Sequence, residues 1–301
     1  MGSYGEHMRI IDLWKIGEKE LCLAEVTSPR WEAELLLRGA LGISRTQFIA
    51  YPEVLVETSA LETFRSYLQK RILGMPTQYI LGRQEFYGRD FHLTPDVLIP
   101  RVDSEIIIEE ALKKARRLQD ETSSWPFSVL DLCTGSGCLG LTIASELPWA
   151  EVTLTDISIS ALQVAMINSK KLGVVSQIRF RSGDLFAAIG QERFHLIVSN
   201  PPYIPSGTIS ALQKEVQCEP RQALDGGEDG LDFYRKIIEE APNHLLVGGY
   251  LLLEVGMGQA EAVKALLQNT GDGSFCLNNI YSAFDFAGIE RVVMGQFAFF
   301  A

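Results

Sequence analysis

Residues 128–140 read SVLDLCTGSGCLG, an apolar strand that runs directly into a glycine-rich turn and then into a helix. Gly135, Gly137 and Gly140 let the backbone turn tightly and approach a ligand closely, while the following helix presents free N–H groups. Their spacing also matches the dinucleotide-binding fingerprint, so the loop by itself leaves a nicotinamide cofactor and S-adenosylmethionine both open. The stretch therefore predicts a strand–loop–helix unit that binds a nucleotide-containing cofactor.

On the carboxyl-terminal side of this loop, short apolar strands alternate with helical segments, one of which spans 158–172. This alternation is typical of a parallel sheet with helices on both faces. After Gly271 the helical pattern ends, and two strand-like stretches flank a turn at Ala287-Gly288, which predicts an antiparallel hairpin at the end of the sheet. The predicted strands span 128–131, 151–155, 177–181, 195–199, 250–255, 277–281 and 291–297.

On the amino-terminal side, apolar residues recur at helical spacing from Ile10 to about Arg83, which predicts a small helical domain. Alternating residues over 85–93 then surround a turn at 87–90, which predicts a hairpin. We therefore expect three parts: a helical domain over 9–83, a linking β-hairpin over 84–98 and a catalytic α/β domain over 99–301.

Composition and charge limit the possible partners. The 301 residues carry a net charge of −11, with 47% hydrophobic residues and no apolar run long enough to span a bilayer. The acidic balance disfavours stable binding to nucleic acid, which depends on Lys and Arg displacing phosphate counterions, and makes a basic protein partner easier. The five cysteines are widely spaced and suggest neither disulfides nor a zinc site, and no signal-peptide pattern occurs at the amino terminus. We expect a cytoplasmic monomer without a bound metal or a membrane partner.

Acidic residues at the ends of the predicted strands indicate which cofactor the loop binds. Asp131 closes the first strand, where a carboxylate can receive the cationic amino group of a methionine moiety, directly or through water. A dinucleotide has no such group. Asp156 ends the second strand and can accept hydrogen bonds from both ribose hydroxyls, and Asp184 and Leu185 after the third strand can contact adenine. Asp156 and Asp184 can alternatively cap helices, but the set as a whole favours S-adenosylmethionine.

The fourth predicted strand ends in Asn200-Pro201-Pro202-Tyr203, at the edge where open α/β sheets bind their ligands. The side-chain carbonyl of Asn200 and the backbone carbonyl of Pro201 can each accept one N–H of a planar substrate amine or amide. These acceptors would orient the nitrogen and stabilise the positive charge that develops as it is methylated. The two prolines keep the turn stiff, and Tyr203 can cover one face of the flat group. The tetrapeptide therefore predicts a catalytic and substrate-binding role in methyl transfer to nitrogen.

The chain resembles the HemK/PrmC type of protein-(glutamine-N5) methyltransferases, which modify peptide-chain release factors. The resemblance implies a class I S-adenosylmethionine-dependent methyltransferase fold, Rossmann-like, with a mostly parallel seven-stranded sheet, a terminal antiparallel hairpin and a small all-α N-terminal domain. Besides the glycine loop and the tetrapeptide, it is carried by four segments: Glu32-Ala33-Glu34-Leu35-Leu36, the spaced glycines and aromatics from Gly74 to Phe91, Ile99-Pro100-Arg101-x-Asp103-x-Glu105, and Glu219-Pro220-x-x-Ala223-Leu224-x-Gly226-Gly227-x-Asp229-Gly230-Leu231.

Carried over by residue, the family pattern implies that the substrate is the glutamine of the Gly-Gly-Gln motif in class-1 release factors. It also implies that the helical domain over 9–83 recognises this partner. Two departures from the pattern occur: Cys133 stands where a glycine is usual, and Val102 where a proline is usual. The segment 204–231 follows the tetrapeptide, and we expect it to close over the substrate. The pattern implies that Asn200, Pro201, Pro202 and Tyr203 hold the target glutamine, and that the cofactor contacts Cys133, Thr134, Gly135, Ser136, Gly137, Asp156, Leu185 and Asn200.

Four other functions are compatible with at least part of the sequence pattern. A glutamine methyltransferase of a large-subunit ribosomal protein would share every motif above. A DNA amino-methyltransferase would suit the tetrapeptide, but the acidic balance and the lack of a basic target-recognition segment speak against it. A nicotinamide dehydrogenase would leave the tetrapeptide unexplained, and a non-catalytic cofactor-binding module would have no chemical need for Asn200.

Overall fold

The computed structural model describes residues 8–122, 126–270 and 275–299, and the chain divides into two compact units. The first unit takes in the chain as far as Arg83 and, in addition, the short separate segment Gln213–Cys218. The second unit comprises Gln84–Leu212 and the chain from Glu219 onward. The sequence pattern contained no sign that Gln213–Cys218 groups with the helical unit, because the segment is too short and too polar to show a period.

The helical unit is built on an apolar core that includes Leu21, Leu36 and Phe64, all buried. Pro29 stands at the first turn of its second helix, where its missing N–H would be unpaired in any case. Ser44 begins the third helix with a reciprocal capping box to Gln47. The helices are α1 Ile10–Leu23, α2 Pro29–Leu41, α3 Arg45–Ala50, α4 Thr58–Ile72 and α5 Thr77–Leu81, and two short strands pair, β1 Met8–Arg9 with β2 Leu55–Val56.

The separate segment is held to this unit by one buried arginine. Arg71, near the end of α4, is only 3% exposed, and its guanidinium donates to both Glu32 and Glu215. The thiol of Cys218 also lies 3.5 Å from the backbone carbonyl oxygen of Gly74. Because an arginine buried without partners is costly, Arg71 ties the segment and its short helix, α9 Lys214–Gln217, to α2 and α4.

The predicted hairpin is formed by β3 Arg83–Phe86 and β4 Arg89–His92. Its turn is shorter than the four residues expected: only Tyr87 and Gly88 lie outside the strands, both with positive φ. Two consecutive positive φ values match the twist of a tight hairpin, so Arg89 and Asp90 belong to the second strand.

The second unit contains a seven-stranded sheet in the order β10-β11-β9-β8-β5-β6-β7. The five strands from β9 to β7 run parallel, and β11 is antiparallel to both β9 and β10. The predicted parallel sheet with a terminal antiparallel hairpin is therefore confirmed. The strands are β5 Phe127–Leu132, β6 Ala150–Asp156, β7 Ile178–Ser182, β8 Phe194–Ser199, β9 Leu245–Glu254, β10 Phe275–Phe284 and β11 Glu290–Phe299.

Helices cover both faces of the sheet, and each face has its own apolar core. One core includes Val129, Leu154 and Leu252, and the other includes Leu130 and Leu251, so neighbouring residues of a strand point to opposite faces. Such two-sided burial gives the continuous apolar runs from which the strands were predicted. The helices are α6 Glu105–Thr122, α7 Cys138–Glu146, α8 Ile159–Leu172, α10 Arg221–Leu224, α11 Asp232–His244 and α12 Ala260–Gln268.

The largest difference between a predicted and an observed strand start occurs at β9. β9 starts at Leu245 rather than at residue 250, although Gly248 and Gly249 lie within it. The pairing of β8 with β9 shifts register between Phe194 and Leu196, so the glycines mark an irregularity inside the strand rather than a break before it. Among the described residues, no helix combines the length and the apolar character needed to cross a membrane.

Candidate active site

The first and fourth strands of the α/β unit, β5 and β8, are neighbours, and their carboxyl ends meet at one edge of the sheet. Leu132 pairs with Ser199 there, and the Ser199 hydroxyl donates to the Leu132 carbonyl oxygen at 2.8 Å. Strand order reverses at this point, because helix-linked strands continue from β5 to one side and from β8 to the other. A cavity of about 260 Å³ opens at this edge, which is the position where open α/β sheets bind ligands.

The glycine loop is fixed by backbone and carboxylate hydrogen bonds. The Thr134 N–H donates to the Thr155 carbonyl oxygen at 2.9 Å. Asp156, at the end of β6, accepts from the Gly135 N–H through one carboxylate oxygen and from the Ser158 N–H through the other, each at 2.9 Å. Burial raises the pKa of Asp156, and these backbone donors counteract the shift. Asp156 therefore joins the loop to the start of α8 and faces the cavity with its carboxylate.

Asn168 supports the loop from behind. This side chain is fully buried in α8, and its amide donates to the carbonyl oxygens of Ser136 and His92 at 2.9 and 3.0 Å. Its own oxygen accepts from the His92 N–H at 2.7 Å. Every polar atom of the amide is engaged, so Asn168 connects the linking hairpin with the glycine loop.

Asp131 lies beneath the loop and does not line the cavity. Its side chain is fully buried, and one oxygen, Oδ2, accepts from the Thr134 hydroxyl at 2.5 Å and from the Gly140 N–H at 2.9 Å. The other oxygen, Oδ1, is buried without a hydrogen-bond partner. Burial raises the pKa of Asp131 to about 7, against the lowering effect of these two donors. Asp131 therefore keeps one acceptor position unused directly behind the loop.

The raised pKa of Asp131 makes stability depend on pH. The carboxyl titrates near 7 in the folded protein but at an ordinary value near 3.8 when unfolded, so the folded state holds the extra proton between these values. Stability should fall as pH rises through this window, by at most about 1.4 kcal/mol per pH unit for this group. We expect Asp131→Asn to flatten the fall, measured by urea denaturation from pH 4.5 to 8. Parallel curves for the variant and the parent protein would contradict this assignment.

Two non-glycine residues of the cavity wall have positive φ, Cys133 at 58° and Leu185 at 47°. This conformation costs most residues roughly 1–2 kcal/mol, and such strain concentrates at binding sites. Cys133 thus occupies a left-handed position, which explains why a glycine is usual there. Burial raises the pKa of its thiol well above the ordinary range, so the thiol stays protonated.

Substitutions at Cys133 should separate backbone strain from side-chain size. We expect Cys133→Gly to leave the free energy of unfolding within about 1 kcal/mol, because relief of strain offsets the greater freedom of glycine in the unfolded chain. Cys133→Val, similar in volume but β-branched, should lose about 1–3 kcal/mol. Denaturant unfolding of the three proteins measures both values, and equal stability of the valine and glycine variants would refute the strain.

The tetrapeptide follows β8 directly. The Asn200 amide nitrogen lies 3.4 Å from the Ser104 hydroxyl oxygen. The Tyr203 carbonyl oxygen accepts from the Gln259 side chain at 3.0 Å. Burial raises the pKa of the Tyr203 phenol to about 12, so it remains a neutral hydroxyl beside the site. Asn200 is therefore held with its amide nitrogen toward the protein.

The segment after the tetrapeptide folds back against it. The Ile204 N–H donates to the Leu224 carbonyl oxygen, and the Gly226 N–H donates to the Ile204 carbonyl oxygen, at 2.9 and 2.8 Å. Glu219, buried in the same segment, accepts from the Ile99 N–H at 3.1 Å and from Arg101. Two of the sequence motifs, Ile99-Pro100-Arg101 and Glu219-Pro220, thus meet through one carboxylate. Whether the segment closes over a substrate stays a prediction.

The structure brings about half of the predicted site residues to the cavity. Among the predicted residues that do not line it, Asp131, Thr134, Ser136 and Gly137 support the loop from behind, and Pro201 and Tyr203 lie next to lining residues. No cluster of three or more His, Cys, Asp or Glu suited to a metal occurs in the described part of the chain. The predicted residues that line the cavity are Cys133, Gly135, Asp156, Asp184, Leu185, Asn200 and Pro202.

Other lining residues had no predicted role. Phe233 and Lys236 come from α11, and Gln222 from α10, far along the chain from the loop. Residues 96–98 enter from the stretch after the hairpin. Pro220 and Ala223 belong to the motif that begins at Glu219. This motif was the one indication in the sequence that they have a functional role, but it did not by itself place them in the cavity wall.

Two protein families match the chain: the family described as PrmC N-terminal domain over residues 12–82, and the methyltransferase small domain over residues 114–272. The chain is similar to proteins named release factor glutamine methyltransferase. That of Geobacter sulfurreducens is 44% identical over 272 residues, which cover 90% of each chain. That of Bordetella pertussis is 42% identical over 274 residues, which cover 91% of this chain and 97% of the other.

Solved structures share the fold at low identity. The hMettl16 catalytic domain, solved with a MAT2A 3'UTR hairpin, has a TM-score of 0.55 at 12% identity and covers 76% of this chain and 80% of that one. The human methyltransferase 10 domain containing protein has a TM-score of 0.51 at 15% identity, covering 79% of this chain and 98% of the other. These similarities concern the fold alone, and they confirm the predicted class I methyltransferase fold.

Proposed function

The chain belongs to the release factor glutamine methyltransferase family, and on that premise we propose that it methylates the N5 nitrogen of the glutamine in the Gly-Gly-Gln motif of class-1 release factors. One observation carries the proposal: Asn200 and Pro202 line the same cavity as the glycine loop and Asp156. The tetrapeptide residues proposed to bind the substrate amide and the residues proposed to bind the methyl donor therefore line one cavity.

The residues of this cavity fit S-adenosylmethionine. Asp156 presents a carboxylate suited to two ribose hydroxyls, and Leu185 and Phe233 supply apolar surface for adenine. The Oδ1 atom of Asp131 has no hydrogen-bond partner and is a suitable acceptor for the ammonium group. Because Asp131 is buried, a water would have to bridge the two groups. Gly135 has open space where a side chain would project, so ligand can approach its backbone closely. When bound, S-adenosylmethionine supplies an electrophilic methyl group on a sulfonium.

The tetrapeptide supplies what an amide nucleophile needs. An amide nitrogen attacks poorly because its lone pair is delocalised into the carbonyl. The side-chain oxygen of Asn200 and the backbone oxygen of Pro201 would accept its two N–H groups, holding the nitrogen in line with the methyl carbon and stabilising its developing positive charge. Methyl transfer would form a C–N bond at this nitrogen as the sulfonium C–S bond breaks with its electrons kept on sulfur, and the methylated nitrogen would release one proton to water.

The same fold carries other methyltransferases, so the substrate must be tested directly. The protein would be incubated with methyl-labelled S-adenosylmethionine and, separately, with release factors, ribosomal proteins and duplex DNA. We expect label in the release factor alone, located by mass spectrometry at the Gly-Gly-Gln glutamine and absent when that glutamine is replaced. Label only in ribosomal protein or in DNA would overturn the proposal.

A cytoplasmic site of action fits this substrate. All five cysteines are free thiols, as is usual in a reducing compartment. The net charge of −11 also favours a protein substrate over a polyanionic one.

A further inference from the structure

A buried carboxylate stands directly behind the tetrapeptide. Glu254 is the last residue of β9, the strand next to β8, and it is only 3% exposed. The side chains of Ser104 and Asn200 lie close enough to lower the pKa of its carboxyl, and its oxygen Oε2 is buried without a partner. Burying a carboxylate with so few hydrogen-bond donors costs folding free energy. Neither the fold nor the proposed methyl transfer explains why Glu254 lies here.

We propose that Glu254 and Ser104 are positioning residues that fix which way the side-chain amide of Asn200 points. The proposal rests on the proposed function, because it concerns how Asn200 grips the target amide. Glu254 does not touch the substrate in this proposal, and it acts only through Asn200.

The orientation of Asn200 decides whether its side chain offers the substrate a hydrogen-bond acceptor or a donor. An asparagine amide has one acceptor oxygen and one donor NH2 group, and a rotation of the amide exchanges their places. A target N–H needs an acceptor, so an Asn200 whose NH2 faced the cavity would repel it. Because an ionised carboxylate only accepts hydrogen bonds, Glu254 holds the NH2 of Asn200 toward the protein. The Asn200 oxygen is thereby left for the substrate.

Ser104 completes the arrangement from a different element. It lies in the short 3₁₀ turn before α6, is buried, and has its hydroxyl oxygen 3.4 Å from the Asn200 nitrogen. The hydroxyl can donate to Glu254 while it accepts from Asn200. With Ser104 donating to Glu254, the three side chains would form a chain of hydrogen bonds with a single favourable direction, a preference that buried polar networks can provide.

The charged surroundings support an ionised Glu254 above neutral pH. Burial raises its pKa to about 7, while the donors Ser104 and Asn200 and the charge of Arg291 lower it and that of Asp103 raises it. Arg291 itself pairs with Asp103 and Asp285. The phenols of Tyr203 and Tyr234 also lie near, and the pKa of each is raised by burial, so both stay neutral.

A double-mutant cycle tests the proposal. Glu254→Leu removes the acceptor at similar volume, and Glu254→Gln keeps a side chain that can either accept or donate. With saturating S-adenosylmethionine and release factor, we expect kcat to fall roughly 10- to 100-fold in the leucine variant and less in the glutamine variant. The Kd for S-adenosylmethionine should change less than threefold, roughly, since the ligand does not meet Glu254. In an Asn200→Ala background, Glu254→Leu should lower kcat by less than about twofold.

The pH profile gives a second readout that a structural role would not change. Protonation at the unpartnered Oε2 gives Glu254 a hydroxyl that can donate to the Asn200 oxygen, which weakens the preference for one amide orientation. The kcat of the parent protein should therefore fall as pH drops below about 7, and Glu254→Gln should lack this fall. Thermal melting identifies variants that fail to fold, in which case Ser104→Ala, a smaller change, takes the place of the leucine variant.

The outcomes are distinguishable. Additive losses in the Asn200→Ala background, or an unchanged kcat in both Glu254 variants, would overturn the positioning role while methylation by the parent protein still stood. A parent protein that leaves release-factor glutamine unmethylated would instead overturn the proposed function.

Discussion

Replacing Asn200 by alanine should lower kcat by about 10²–10³-fold, the loss typical for removal of one group that stabilises charge in a transition state. The oxygen lost is the one left free for substrate, since the Asn200 nitrogen faces Ser104. Cofactor affinity should change only a few-fold, because the glycine loop and Asp156 remain. Steady-state methylation of a release factor at saturating substrate concentrations measures kcat, and calorimetry measures cofactor binding.

A matched control for this substitution is Gln222→Ala. Gln222 also carries an amide and also lines the cavity, but it lies in α10 and outside the tetrapeptide. Its loss should leave kcat within several-fold of the parent protein. Near-normal turnover in Asn200→Ala, or an equal loss in Gln222→Ala, would remove the assigned role of Asn200.

Replacing Gly226 by alanine should be almost as damaging, although Gly226 touches no ligand in the proposed mechanism. A Cβ built on Gly226 would lie 2.7 Å from the Tyr203 Cα, 2.8 Å from the Tyr203 carbonyl carbon and 2.9 Å from the Pro202 carbonyl oxygen. All three are backbone atoms that cannot rotate away. The tetrapeptide must therefore shift, and a displacement near 1 Å at a reacting group can cost about 10²-fold in rate.

Gly207→Ala is the control for this second prediction, because Gly207 lies in the same segment and a Cβ there meets nothing within 4 Å. We expect normal kcat for Gly207→Ala and a loss of about 10²-fold for Gly226→Ala, with melting temperatures recorded to separate misplacement from unfolding. Equal activities of the two variants would show that the tetrapeptide tolerates the shift.

The parts of the site that follow from local sequence were predictable. A glycine loop after a buried strand has a definite backbone requirement, and a tetrapeptide at the end of another parallel strand must reach the same edge of the sheet. Asp156 and Leu185 could be assigned to the cavity for the same reason, since each follows a strand of that sheet. Periodicity and strand ends carry this information without any knowledge of side-chain packing.

The remaining parts depend on packing between distant segments. Lys236 and Phe233 reach the cavity from a helix whose exposed and buried faces look like those of any surface helix. Glu254 and Asp131 are both acids near the carboxyl ends of their strands, but the proximity of Glu254 to Asn200 depends on the pairing of β8 with β9. Asp131 was predicted to receive the amino group of the cofactor, and its complete burial could not be read from spacing, because a strand-end acid can point to either face.

The grouping of Gln213–Cys218 with the helical unit has a consequence for chimeras between relatives. The helical unit is discontinuous in sequence, because Arg71 needs Glu215 as well as Glu32. A graft of only the first 83 residues of another relative would replace Arg71 and Glu32 but keep Glu215 of this chain, so the three side chains would come from two different proteins. An exchange of substrate preference between relatives should therefore transfer residues 213–218 together with the amino-terminal part. A truncated protein that starts at Gln84 would keep residues 213–218 without Arg71, so its activity would not report on an intact second unit.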